Sequence, residues 1–150
     1  REHTALVTDV RDMRERIWAD KGTDDKWALK QTRGGLIDVE FIAQYLQLAH
    51  AAQATGVLDT NTVQALQKLQ AHGLLEAGDA EPLIQAARLL NTVAHLLRIC
   101  SEDGFAPEAA PDGLKSLLAS ACGEPEFSHV ELKLVESQAA VRRLYDTLIQ

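Results

Sequence analysis

Two cations, a glycine doublet and one inward carboxylate are the residues of this sequence whose order could do chemistry. Lys30 and Arg33 lie on a connecting segment just ahead of Gly34-Gly35, and the doublet opens a helix expected from about Leu36 to Gln53. The first amides of a helix have no partner within it, and the dipole there favours negative charge, so such a place suits an anion. A lysine ammonium and a guanidinium both suit phosphate. Asp38 falls in the first turn, in the middle of the helix's apolar face, while Glu40 shares a polar arc with Gln44 and Gln47. A carboxylate turned into an apolar face needs a partner, and a partner on another domain would supply one. The same residues also have plainer uses. A glycine doublet makes a tight turn, a first-turn Asp caps amides, and loop cations are solvated. Both readings stand at this level.

Other chemistry is thinly represented. The five histidines, His3, His50, His72, His95 and His129, include no pair at metal-ligand spacing, and Cys100 and Cys122 are far apart. His95 lies on the polar edge of its helix and reads as a surface residue. No phosphate loop ending in Lys-Ser or Lys-Thr is present, and no Gly-x-Ser-x-Gly. The two cysteines sit in apolar helical settings and are expected to be buried thiols in a reducing cytosol. The formal net charge of -7 disfavours broad binding to nucleic acid, and no basic stripe offsets it. No apolar run is long enough to span a bilayer, and the N-terminal residues are not those of a secretory signal, so a cytoplasmic location is expected. The lack of an initiator Met suggests a piece of something longer.

The elements that must position these residues are helices. Ala, Leu and Gln abound, and strand-like alternation is weak throughout. Leu6, Val10, Met13 and Ile17 form a stripe on a first helix from Thr4 to Asp20. Residues 22–35 are irregular, with Trp27-Ala28-Leu29-Lys30 briefly extended. Asp59 or Thr60 caps a short third helix stopped by His72-Gly73. Asp79 caps a long fourth helix reaching about Glu102, with Pro82 in its first turn. A loop over 103–113, a short helix from Leu114 to Cys122, a break at Gly123-Glu124-Pro125 and a last helix from Ser128 complete the chain. The fold class expected is all-α: an antiparallel up-and-down bundle of four long helices with short connecting helices, forming one domain over 1–150.

The segment Leu29-Lys30, Gly34-Gly35, Asp38-Val39-Glu40-Phe41 and Gln44-Tyr45-Leu46 resembles the signature that follows the catalytic domains of bacterial glutamine synthetase adenylyltransferases, which are also adenylyl-removing enzymes. The related uridylyltransferase of the nitrogen regulatory protein has a similar Gly-Gly-Leu-Arg-Asp segment without the Glu-Phe continuation. The resemblance implies a nucleotidyltransferase-associated helical domain at the C-terminus of a two-headed enzyme. One half of such an enzyme transfers AMP from ATP to a tyrosine of glutamine synthetase; Asp at position 38 is the form of that half. It also implies partners: a preceding nucleotidyltransferase domain of the same chain, glutamine synthetase and the nitrogen regulatory protein. These enzymes hold Mg and ATP with a Gly-Ser turn and an Asp-x-Asp pair, and neither occurs here. Phosphoryl chemistry on paired metals needs such carboxylates. The chain is therefore expected to carry no catalytic residue and to bind no cofactor alone. Lys30, Arg33, Gly34, Gly35, Asp38 and Glu40 become candidates for facing the catalytic cleft or its nucleotide. The competing expectation is a non-catalytic module that binds regulatory proteins.

Overall fold

The computed structural model describes residues 2–53, 55–100 and 105–150. Six α-helices appear in order: α1 (Glu2–Lys21), α2 (Leu36–His50), α3 (Thr62–Ala71), α4 (Ala77–Cys100), α5 (Asp112–Ala121) and α6 (Phe127–Leu148). Two single turns of 3₁₀-helix, Thr55–Val57 and Pro107–Ala109, lie in the connections. Among the described residues there is no strand, only an isolated bridge between Thr23 and Thr32. The all-α expectation holds, and its four long members are α1, α2, α4 and α6.

Side-chain pairs give the directions of these four. His3 meets Tyr45 and Arg14 meets Asp38, so α1 runs antiparallel to α2. The C-terminal half of α4, around Asn91 and Arg98, faces Leu36 and Glu40 at the start of α2. Gln138 lies against Gly34, and the last carbonyl, of Gln150, reaches the Tyr45 hydroxyl at 3.4 Å, so α6 runs parallel to α2. The directions therefore alternate along the chain.

The core is built mainly by α2, α4 and α6. Val39, Ile42, Leu46, Leu83, Leu90, Val93, Leu134 and Val141 belong to one continuous buried cluster. Within each helix successive members of this set stand three, four or seven apart, which puts them on one face. α1 is different. Its stripe is only half-buried at Leu6, Val10 and Ile17, Met13 is 52% exposed, and its one fully buried residue is Arg14. Leu6, Val7 and Val10 pack against the edge of the cluster, and polar contacts fasten the helix further. Arg11 donates to the Ile149 carbonyl and lies 5.5 Å from the Tyr145 ring. His3 contacts the Gln150 carbonyl at 2.9 Å.

Several boundaries differ from the sequence expectation for identifiable reasons. Residues Trp27–Lys30 are a run of turns, not extended chain. The Asp25 carboxylate accepts from the Trp27 amide at 3.0 Å, and the Asp25 carbonyl accepts from Ala28 at 3.1 Å. Asn61, not Asp59 or Thr60, caps α3, accepting from the Gln64 amide at 3.0 Å. Asp59 supports that cap one step back, accepting from the Asn61 amide at 2.9 Å and pairing with Lys68 at 2.9 Å. These contacts hold its carboxyl below the usual aspartate range, the Asn61 amide contributing most. The stability they add is present above the unfolded-state pKa and is lost as pH falls through the lower folded value. Amide exchange at Gln64 is thus expected to quicken selectively in acid in the parent chain and to lose that pH step in Asp59→Asn.

α4 starts two residues before Asp79, with the Glu76 carbonyl accepting from Asp79 and Ala80, so Pro82 sits beyond the first turn. Its expected end near Glu102 lies outside the described residues, as does part of the 103–113 loop. The two thiols are not buried alike. Cys100 is exposed, and Cys122 is half-buried with its pKa raised by burial and by Glu124. Maleimide should therefore label Cys100 well before Cys122; equal rates would contradict this burial order.

Candidate functional site

The segment from Gly22 to Gly35 is irregular but densely tied. Trp27, Leu29 and Thr32 are buried within it. Gln138 of α6, itself buried, donates to the Lys26 carbonyl at 2.8 Å. Beneath that contact Gly34 adopts φ +80, where a side chain would meet the backbone carbonyl of Gln138. Both features call for glycine: a left-handed backbone and a close backbone approach. Gly35 is pressed in the same way against the carbonyls of Leu29 and Thr32.

Four amides leading into α2 are already engaged. Gly34 N donates to the second Asp38 carboxylate oxygen at 2.6 Å. Gly35 N donates to Thr32 O at 2.9 Å, Leu36 N to Leu29 O at 2.8 Å and Ile37 N to Lys30 O at 3.3 Å. The anion that the helix terminus attracts is the chain's own Asp38. That carboxylate is 2% exposed, and its other oxygen pairs with Nε of fully buried Arg14. The partner that the sequence placed on a neighbouring domain is thus a residue of α1. The physical reason is reach: α1 crosses the start of α2, and a long arginine on its inner face covers the gap. Arg14 does not stand out in the sequence, where it lies among the charged residues Asp12, Glu15 and Arg16. The available signal was its position one residue from Met13 and three from Ile17, along the border of the apolar stripe.

The other candidates separate into two groups. Arg33 turns toward α1, where one guanidinium nitrogen reaches both Glu15 carboxylate oxygens at 2.9 and 3.0 Å. Its guanidinium also lies 4.4 Å from the Trp18 ring. Lys30 is exposed and lines, with half-buried Glu40, a concavity on the α4 side. The six candidates therefore do not converge on one point. Gly34, Gly35 and Asp38 form the interior hinge of α1 and α2, Arg33 braces it from outside, and Lys30 and Glu40 face α4. Among the described residues, no three His, Cys, Asp or Glu side chains come together as a metal site would require.

Gln47 was also read differently from sequence. It is buried, accepting from the Asp59 amide at 2.7 Å and donating to the Ala43 carbonyl at 3.2 Å. The polar arc of α2 is thus interrupted by a side chain that ties the next connection down.

The hinge defined by Gly34, Gly35 and Asp38 lies within a recognised family region. The family described as GlnD PII-uridylyltransferase matches residues 11–149. The chain belongs to that family. It is also 42% identical over all 150 residues to a bifunctional glutamine synthetase adenylyltransferase/adenylyl-removing enzyme of Bradyrhizobium sp. strain BTAi1. The corresponding enzymes of Rhodopseudomonas palustris strain TIE-1 and Xanthobacter autotrophicus strain Py2 are 41% and 39% identical, over 99% and 100% of the chain. The chain spans about 15% of the length of these relatives. The resemblance seen at Leu29–Leu46 therefore extends over the whole chain. Among the described residues of this family member, no helix is long and apolar enough to cross a membrane.

Proposed function

We propose that this chain is the helical domain of a longer adenylyltransferase, supporting transfer of AMP from ATP to a tyrosine of glutamine synthetase. The observation that carries this reading is the roughly 40% identity, over the whole chain, to enzymes of that name. The domain's own residues do not fit a magnesium and ATP centre. Asp38 is committed to Arg14 and Gly34, and the sequence offers no Asp-x-Asp pair. Its contribution is structural and positional: it packs against a preceding nucleotidyltransferase domain. The half-buried face of α1, with Met13 outermost, supplies apolar surface for that packing. The nitrogen regulatory protein is a proposed further partner of the intact enzyme.

The test uses the full-length protein. With α-labelled ATP, label should pass to glutamine synthetase, and deleting this domain should reduce it at least tenfold. Label arriving instead from UTP on the nitrogen regulatory protein would favour the uridylyltransferase reading, which the family's description supports. Transfer unaffected by the deletion would overturn the supporting role.

Arg33→Ala separates function from folding. Its pair with Glu15 is largely solvent-exposed, so the loss of stability should be about 1 kcal/mol, or a few degrees in Tm. Adenylyl transfer should fall by more than that loss explains. A variant with full transfer and an unchanged Tm would remove Arg33 from the functional surface.

A further inference from the structure

The concavity between the start of α2 and the second half of α4 has a volume of about 600 Å³. Its polar lining comes from Lys30, Glu40, Asn91, Thr92, His95 and Arg98, over an apolar patch of Leu36 and Ala94. In a chain of net charge -7, this places two permanent cations and three further polar side chains around one hollow. The two sides of the hollow differ. The α4 wall carries Arg98, His95, Asn91 and Thr92, and the α2 side carries one carboxylate, Glu40, with Lys30 on the loop before it.

His95 and Arg98 are coupled. A guanidinium has no lone pair, so the 3.1 Å contact between Arg98 Nη2 and His95 Nδ1 makes the imidazole nitrogen the acceptor. A neutral His95 then carries its proton on Nε2 and remains a donor there. The same contact fixes one nitrogen of Arg98 and leaves the rest of its planar fork available. Among the described residues, Lys30 makes no ion pair. A set of donors from Lys30, Arg98, His95, Asn91 and Thr92 matches the oxygens of a phosphate. Glu40 is the exception, because a carboxylate repels a bare anion. It is suited to accept from a hydroxyl on the same ligand.

The geometry points to a binding site for a small phosphate ester bearing hydroxyl groups, with Lys30 and Arg98 holding the phosphate and Glu40 accepting from a hydroxyl. The site does not depend on the Leu36 and Ile37 amides, which donate to the Leu29 and Lys30 carbonyls. Nor does it depend on the adenylyl-transfer reading, because binding is measured on the 150-residue chain without any transfer assay.

Calorimetric or NMR titration at fixed ionic strength with ribose 5-phosphate, inorganic phosphate and ribose tests this. Saturable binding of ribose 5-phosphate is expected, with weaker binding of inorganic phosphate and none of ribose. Lys30→Gln and Arg98→Gln should each weaken ribose 5-phosphate about tenfold, the scale of one charge-assisted hydrogen bond. Both positions are exposed, so Tm should not move. Arg143→Gln, an exposed cation on α6, serves as the control and should change nothing. Glu40→Ala should tighten inorganic phosphate while erasing the advantage of the ester, because alanine has no acceptor for the hydroxyl. The proposal fails if no phosphate compound saturates, if Arg143→Gln weakens binding as much as Arg98→Gln, or if the ester's advantage survives Glu40→Ala.

Discussion

Asp38→Ala should destabilise the chain by about 3–5 kcal/mol, the cost of leaving one member of a buried ion pair uncompensated. Arg14 is fully buried and reaches Asp38 through Nε, and both of its terminal nitrogens lack an acceptor among the described residues. Removing the carboxylate strands the guanidinium and also frees the Gly34 amide. For a chain of this length the loss corresponds to a fall of roughly 10 °C in Tm. Urea unfolding measures it directly, and a loss below about 1 kcal/mol would refute the account of α1 as pinned by this pair. The double variant Arg14→Met/Asp38→Leu should recover most of the stability, because apolar replacement of a buried pair is often neutral or better. The contrast between single and double variants identifies the stranded charge, not lost packing, as the cause.

Gly34→Ala is the second large effect. Forcing an L-residue to φ +80 costs about 1–2 kcal/mol, and pushing a methyl against the Gln138 backbone costs about 1–3 more. Gly73→Ala provides the comparison. Its φ of +72 is similar, but nothing lies within 4 Å of an added Cβ, so only the backbone cost should appear. Gly78→Ala, within α4 and equally open, should instead stabilise by about 0.5–1 kcal/mol. A Gly34 variant no worse than the Gly73 variant would show that the approach of α6 to this turn is not tight.

Much of the fold was legible because it follows from periodicity. In α4, for example, Leu83, Leu90 and Leu97 stand seven residues apart, a spacing that keeps them on one helix face, and all three are buried. Caps were less legible. Asp59, Thr60 and Asn61 are all competent residues, and only the backbone geometry selects Asn61. The 22–35 segment was readable as irregular but not as buried, since one of the side chains that ties it down is Gln138, more than a hundred positions away in sequence.

For the site, the sequence pointed to the segment at Gly34, Gly35 and Asp38, and Asp38 does turn inward. What it could not show was which element supplies the counter-charge, because pairing across helices is a property of their rotation. Arg14 and Arg16 look equivalent in a list of charges. One turns fully inward, and the other remains exposed. Lys30 and Arg33, only three residues apart, likewise leave the loop in opposite directions, one toward α4 and one toward α1.

The contact of His3 with the Gln150 carbonyl, and of Arg11 with that of Ile149, brings the first turns of α1 to the last residues of α6. A short Gly/Ser tether could therefore splice the two ends together, and cutting at the exposed turn around Gly123 would give a circularly permuted chain with the same packing. Such a rewired molecule would carry its new ends beside α5, so fluorophores or fusion partners could be mounted there without disturbing the corner where α1 and α6 meet.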